Sequence, residues 1–209
     1  MATSKVQIAN LALTHVGGNP ITSLTENTNE ARAINQVYDL VRDAVLADHP
    51  WNFAVKRIIP GLDGTTPIYG FSYRFDLPTD YIRLIEIEDN PPYKISGQFI
   101  ECDSSVIKIK YIAENDMPTE YDYMFVMAFG LRLAATICER LTQSGTLAKE
   151  LMEAYRLALK NAKTVDSQSD EPDDFEANLW LDSRIQGTNI GSGEGRCTDI
   201  REFWTEFCS

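Results

Sequence analysis

The sequence predicts an α+β fold: a four-helix bundle with an inserted small antiparallel β module and an extended C-terminal tail. Three observations lead there. Apolar residues recur at steps of three and four up to Asp48, at steps of two from Phe53, and again at three and four from about Glu120. Beyond Thr164 neither period survives. The boundaries that follow are a helical bundle over 1–52 and 114–164, a β module over 53–113 and an acidic tail over 165–209.

Thr3 or Ser4 caps a first helix whose inner face carries Val6, Ala9, Leu13 and Val16, widened by Leu11 and Ala12. Gly17-Gly18-Asn19-Pro20 ends it, with glycine at the terminus and proline just beyond. The second helix is the one around which the sequence is organised. Ala31, Ile34, Val37, Tyr38, Val41, Ala44 and Val45 make one apolar stripe on it. Thr28 or Asn29 caps its start, and Glu30 suits the positive end of the helix dipole. Pro50 stops it, because the residue before a proline is pushed out of the helical region. Trp51 and Phe53 then follow at a spacing of two, a junction between a helical and a β layer.

A first strand runs from Phe53 to Ile59 and closes at Pro60-Gly61. In a second, Tyr69, Phe71, Tyr73 and Phe75 put four aromatics on one face. Residues 81–88 alternate again and end at Asp89-Asn90-Pro91-Pro92. Segments 93–97, 98–102 and 106–112 supply further strands, with Asp103-Ser104-Ser105 as a hairpin turn. Five or six short strands fit a small antiparallel sandwich or barrel. Helix returns near Glu120 with Tyr121, Phe125, Ala128, Phe129, Arg132, Ala135 and Cys138, and turns at Gln143-Ser144-Gly145. Leu147, Leu151, Tyr155, Ala158, Leu159 and Ala162 mark the last helix.

At 209 residues, 44% hydrophobic and 24% charged, the chain is ordinary globular material. No run of about 18 apolar residues occurs, so no membrane span is expected. The polar start Met-Ala-Thr-Ser-Lys is unlike a signal peptide. Cys102, Cys138, Cys197 and Cys208 have no close pair, which speaks against a zinc site or a disulfide framework and for a reducing cytoplasm. The net charge of −12 is uneven. Positions 165–209 hold eleven Asp or Glu and three Arg, a net of −8, which leaves 20 acidic and 16 basic residues, a net of −4, in 1–164. Such a chain is a poor grip for phosphates, since nucleic-acid affinity rests on Lys and Arg.

Candidate chemistry is sparse. The segment 187–195 has four glycines, but no strand precedes it and no Gly-Lys-Ser/Thr ends it, so it reads as a linker. His15 and His49 are isolated, too few for a metal cluster or a triad. Segment 166–174 lacks the ligand spacing of a calcium loop. No catalytic, cofactor-binding or metal-ligating residue is therefore expected. The tail instead places Phe175, Leu179, Trp180, Leu181, Ile200, Phe203, Trp204 and Phe207 in an acidic, glycine-rich setting. This pattern predicts a tail that gains order against another chain with its aromatics as anchors; the alternative is that it folds back on its own body.

Several segments, in order, carry a resemblance. They are Asn10-Leu11-Ala12-Leu13 with Val16-Gly17, then Ile21-Thr22-Ser23-Leu24, then Ala31, Tyr38, Arg42-Asp43 and Leu46 running into His49-Pro50-Trp51-Asn52-Phe53-Ala54. Later come Tyr73-Arg74-Phe75-Asp76-Leu77-Pro78-Thr79-Asp80-Tyr81-Ile82-Arg83, Ile109-Lys110-Tyr111-Ile112 and Leu131-Arg132-Leu133-Ala134-Ala135. Together these resemble the head-to-tail adaptor proteins of short-tailed bacteriophages, the tail tubular protein A and head-completion group. Leu179-Trp180-Leu181-Asp182-Ser183-Arg184 is similar to a Trp-x-x-x-Arg element near the end of family members. The resemblance spans position 5 to about 185, and 187–209 have no counterpart in it.

The resemblance implies a structural virion protein at the head–tail interface, assembled in the bacterial host cytoplasm. Family members form a homo-oligomeric ring, a dodecamer, beneath the portal protein. They extend the DNA channel and offer a docking surface to tail tube, nozzle or fibre proteins. The C-terminal segment reaches back along the portal, so Phe175, Leu179, Trp180, Leu181, Arg184, Phe203, Trp204 and Phe207 become the expected portal contacts. Double-stranded DNA is expected to pass without specific binding, and no membrane is involved. Lys56, Arg57, Arg74, Arg83, Lys94, Lys108 and Lys110 all fall in 53–113, where salt bridges between subunits are expected rather than DNA contact. The alternative is an adaptor-like protein with cell-wall glycoside hydrolase activity, which needs a raised-pKa acid and a second carboxylate. An assembly factor unrelated to virions is a third reading.

Overall fold

Ser4 and Gln7 exchange side-chain and backbone hydrogen bonds, a capping box that starts α1 (Lys5–Val16). Gly17, at φ 74°, ends α1 in the left-handed conformation, and the Gly18 N–H returns to the Leu13 carbonyl at 2.9 Å. Thr28 caps α2 (Asn29–Asp48) through the Ala31 N–H. A 3-10 turn, Asn52–Ala54, leads to six strands: β1 (Val55–Ile58), β2 (Tyr73–Asp76), β3 (Tyr81–Ile87), β4 (Tyr93–Ser96), β5 (Phe99–Cys102) and β6 (Ile109–Ala113). A second 3-10 turn, Pro118–Glu120, precedes α3 (Tyr123–Thr142) and α4 (Gly145–Asp166). The computed structural model describes residues 3–166, and the tail expected beyond 166 lies outside the described residues. Among the described residues the fold is mixed α+β, with four helices and two small antiparallel sheets.

Helix α3 is the hub of the helical layer, packing against α1, α2 and α4. Its buried residues, Phe125, Ala128, Phe129, Gly130, Leu133, Ala134, Ala135, Ile137 and Cys138, cover more than one stripe, as a helix with several neighbours requires. Gly130 sets the closest approach: a Cβ there would stand 2.7 Å from the Leu11 Cδ2. Gly130→Val is therefore expected to cost about 1–3 kcal/mol by overpacking α1 against α3. Thermal unfolding reads this, and Gly130→Ala, which moves only the flexible end of Leu11, should cost less.

The sheets run in the orders β1-β6-β3 and β2-β5-β4. The first is a middle layer. Ile112 and the half-buried Ile82 and Ile85 join the helical core. Ile87, Ile109, Tyr111 and Ala113 share a second core with Phe75, Ile100 and Cys102 of the other sheet. Ile82 and Ile85 are three apart, which plain alternation does not allow on one face. The register of β3 against β6 slips between Tyr81 and Arg83 and again between Leu84 and Glu86. Each slip adds a residue, sending Ile82 and Ile85 to the helices and keeping Tyr81, Leu84 and Ile87 on the sheet side. Gly97-Gln98 closes the β4–β5 hairpin, with Gly97 at φ 64° as the first residue of a two-residue turn.

Four local expectations are corrected. The strand expected over 69–75 begins only at Tyr73, and Tyr69 is exposed, so the four aromatics do not share a face. Gly70, at φ 98°, bends the chain just ahead of it. Asp103-Ser104-Ser105 is no hairpin turn, because β5 and β6 belong to different sheets and 103–108 crosses between them. Asp103 instead accepts hydrogen bonds from the Ser72 N–H and hydroxyl. The strand expected from Phe53 starts at Val55, and Phe53 packs on Tyr121 and Phe125 of the helical core. Helix α3 begins at Tyr123, capped by Asp122, rather than at Glu120.

Candidate functional site

On α2, Arg42 follows the apolar stripe and is turned inward where α2 meets the end of β6; it is only 2% exposed. Its Nη1 donates to Asp116 at 2.6 Å and Asp39 at 3.3 Å, its Nε to Asp43 at 2.9 Å, and its Nη2 to Glu114. Lys5 of α1 adds a second cation to Asp116 at 2.5 Å. Burial works against the Arg42 charge, but Asp43 and then Glu114 more than offset it, so its pKa is raised. Lys5 first and Arg42 second hold the Asp116 carboxyl below its usual range. The cluster is a fixed charge clamp joining α1, α2 and the segment after β6. Tyr38, 2% exposed beside it, has a buried hydroxyl without a hydrogen-bond partner among the described residues.

Three further contacts tie elements together. The Asn10 amide brackets Ile21, donating to its carbonyl at 2.9 Å and accepting from its N–H at 2.8 Å. Trp51 Nε1 donates to the Val45 carbonyl at 3.0 Å, and its ring meets Phe125 edge-on at 5.2 Å and His49 at 4.9 Å. Asp80 pairs with Lys56 at 2.7 Å and accepts from the Tyr111 hydroxyl at 3.0 Å. Burial, and then Asp80, push the Tyr111 hydroxyl up to about 12 from 10.0. A raised acid stabilises the fold below its unfolded pKa and loses that contribution as pH rises through the folded one. Tyr111 is thus expected to contribute stability that fades between pH 10.0 and about 12. Denaturant titrations across that window should show a flatter decline for Tyr111→Phe than for the unmodified chain.

Of the cations expected to reach a neighbouring subunit, three are paired within the chain: Lys56 with Asp80, Arg74 with Asp63, and Lys108 with Glu88. Arg57 and Lys110 stand opposite each other on β1 and β6. Apolar exposure concentrates in the same region. Among the described residues, seven of the twelve exposed large apolar side chains fall in 53–113: Ile59, Leu62, Ile68, Tyr69, Tyr93, Ile95 and Val106. This exposure was legible only weakly in the sequence, because Tyr69 alternates with Phe71 as if both were core.

The residues expected to contact the portal, Phe175, Leu179, Trp180, Leu181, Arg184, Phe203, Trp204 and Phe207, lie outside the described residues. His15 sits in the last turn of α1 with its Nε2 buried and without a hydrogen-bond partner among the described residues, and His49 caps the end of α2 against Trp51. Cys102 and Cys138 are buried free thiols. Among the described residues no group of three or more His, Cys, Asp or Glu is placed to hold a metal ion. No described helix is long and apolar enough to cross a membrane. Comparison with models of known protein families gives no match, and comparison with curated proteins gives none.

Proposed function

We propose that this chain is a ring-forming structural virion protein: a head-to-tail adaptor that binds the portal, extends the DNA channel and provides the attachment surface for the tail. The observation that carries the reading is where the adaptor-like segments fall. Asn10 fixes Ile21, Arg42 gathers Glu114 and Asp116, Trp51 locks the end of α2 to α3, and Asp80 joins Tyr111 to Lys56. Asn10, Arg42, Trp51, Asp80 and Tyr111, which belong to the resembling segments, each take part in a contact that ties parts of the chain together, and this supports the reading. On this reading the helices form a four-helix bundle centred on α3, with 53–113 as its inserted module.

The hydrolase alternative needs a carboxylic acid with a raised pKa. Asp63, Asp80, Asp116 and Glu26 are all displaced downward, by Arg74, Lys56, Lys5 and Thr22 respectively among their lowering partners. These four carboxylates serve as ion-pair or hydrogen-bond partners and do not supply such an acid.

Native mass spectrometry and electron microscopy of the chain incubated with portal rings test the proposal. A co-assembled dodecamer is expected, and a chain that stays unattached at micromolar concentration refutes it. Removal of 165–209 should leave the thermal midpoint of the body unchanged while weakening portal capture by about tenfold or more, roughly 1.4 kcal/mol. Undiminished capture would remove Phe175, Trp180, Arg184, Trp204 and their neighbours from the anchoring role. Duplex DNA should bind the assembled ring no more tightly than weak, salt-insensitive association, given the excess of acidic over basic residues.

A further inference from the structure

We infer that the Asp63-Gly64 peptide is a site of spontaneous isomerisation to isoaspartate, and that Arg74 sets its pace by pinning the Asp63 side chain. The inference stands apart from the adaptor reading. In an Asp-Gly pair the glycine nitrogen can attack the aspartyl Cγ, because no side chain on the glycine crowds the ring that forms. The dipeptide occurs once in this sequence, and Asn-Gly does not occur. Gly64 is exposed, and a Cβ on it would meet nothing within 4 Å, so no neighbour blocks the approach. Its N–H takes part in no hydrogen bond among the described residues.

The other reactant is held. Arg74 Nε donates to Asp63 Oδ2 at 2.7 Å, its Nη2 donates to the same oxygen, and the Thr65 N–H donates to Oδ1 at 3.3 Å. Arg74 is braced in turn, its guanidinium 4.1 Å from the centre of the Phe99 ring. Ring closure starts from the neutral acid. The Gly64 nitrogen bonds to Cγ, a Cγ–O bond breaks, and the hydroxyl leaves with the amide proton as water. Water then opens the imide at the former main-chain carbonyl, so the chain runs through Cγ and a carboxylate remains on Cα. One water is lost and one regained, and nothing is oxidised or reduced. Arg74 first, helped by Thr65 and opposed by burial, holds the Asp63 carboxyl below its ordinary range. Each unit of such a shift makes the neutral acid tenfold scarcer at neutral pH. Asp63 pairs with no other charged group among the described residues. The product adds a carbon to the main chain just after the Asp63 N–H, which bonds the Arg74 carbonyl at 2.7 Å beside the Leu62–Phe75 bridge. It therefore alters the chain where 61–63 is fastened to β2.

Ageing of the full-length chain in mildly acidic buffer, followed by mass spectrometry with electron-transfer fragmentation, reads isoaspartate at position 63. Arg74→Gln should accumulate it about fivefold faster or more than the unmodified chain, with a thermal midpoint above the ageing temperature showing the fold intact. Arg74→Lys, which keeps the charge and loses the second bond, should fall between the two. Gly64→Ala, set in open space, should suppress the reaction. The unmodified chain aged in guanidinium chloride should react at least as fast as Arg74→Gln, and this comparison stands even if that variant does not fold. Equal rates in the native and unfolded chain, or in the folded Arg74→Gln and the unmodified chain, overturn the inference. So does a lack of isoaspartate at 63 in every sample. The pH profile separates the ion pair from simple loosening of the loop. The rate falls with rising pH as the acid ionises, and in Arg74→Gln that fall should begin at higher pH. A faster reaction with an unmoved profile overturns the part assigned to Arg74.

Discussion

Trp51→Ala is expected to destabilise the chain by about 3–5 kcal/mol, the usual cost of removing a large aromatic from a packed core. Trp51 is 2% exposed and sits where α2 hands over to the first strand. Its indole N–H satisfies the Val45 carbonyl, and its ring fills the space between His49, Phe53 and Phe125. Truncation opens a cavity lined by three aromatic rings that cannot collapse without moving α2 against α3. Against a total stability of roughly 5–15 kcal/mol, such a loss is a large share. Trp51→Phe keeps most of the ring and loses the hydrogen bond, for about 1–2 kcal/mol. Denaturant unfolding followed by circular dichroism measures both. A Trp51→Ala midpoint equal to that of the unmodified chain would mean that the junction is not held by this side chain.

Arg42→Ala ranks second, at about 2–4 kcal/mol, below the full cost of stranding a buried charge because the carboxylates left behind keep contact with water. Their side chains are 40% to 70% exposed: Asp43, Glu114, Asp116 and Asp39 in rising order are 40%, 47%, 57% and 70%. Without the guanidinium, four carboxylates face Lys5 alone. The deficit should shrink as salt is added, since repulsion between partly exposed charges is screened. A deficit that salt does not change would assign the loss to packing. Acid provides a second reading. A carboxyl held below its ordinary pKa stabilises the fold above its unfolded value and loses that contribution as pH falls through the folded value. Asp116 is held down by Lys5 and Arg42. Arg42→Ala should therefore blunt the acid loss of stability by the share that Arg42 supplies, and Asp116→Asn should remove this group's share altogether.

The helices were legible in the sequence for a local reason. A 3.6-residue period and a capping residue both act within a turn or two, so Ser4, Thr28 and Gly17 mark the ends of α1 and the start of α2 without knowledge of the rest. Arg42 was not legible as an inward residue, because its partners Glu114 and Asp116 lie 72 and 74 positions downstream. In the β region the strand positions were readable and their pairing was not. Asp103-Ser104-Ser105 has the chemistry of a turn as surely as Gly97-Gln98 does, and only packing of two sheets decides which one closes a hairpin. The alternation over 81–88 gave a strand but concealed the two register slips that decide which side each isoleucine serves. The exposed Tyr69, Tyr93 and Ile95 looked like ordinary β-strand residues, because apolar character does not reveal whether a covering layer exists.

The β1-β6-β3 sheet has a mechanical consequence. A sheet attached on one face can swing about its edge like a flap. This one is bonded on both faces, through Ile82, Ile85 and Ile112 to the helices and through Ile87, Ile109 and Tyr111 to the outer sheet. It behaves as the web of a beam between two flanges, and bending it requires one core to open and the other to compress. Load applied at the outer sheet therefore has a path to the helical layer through the two faces of one sheet. A push on the outer sheet is expected to move the helical layer with it.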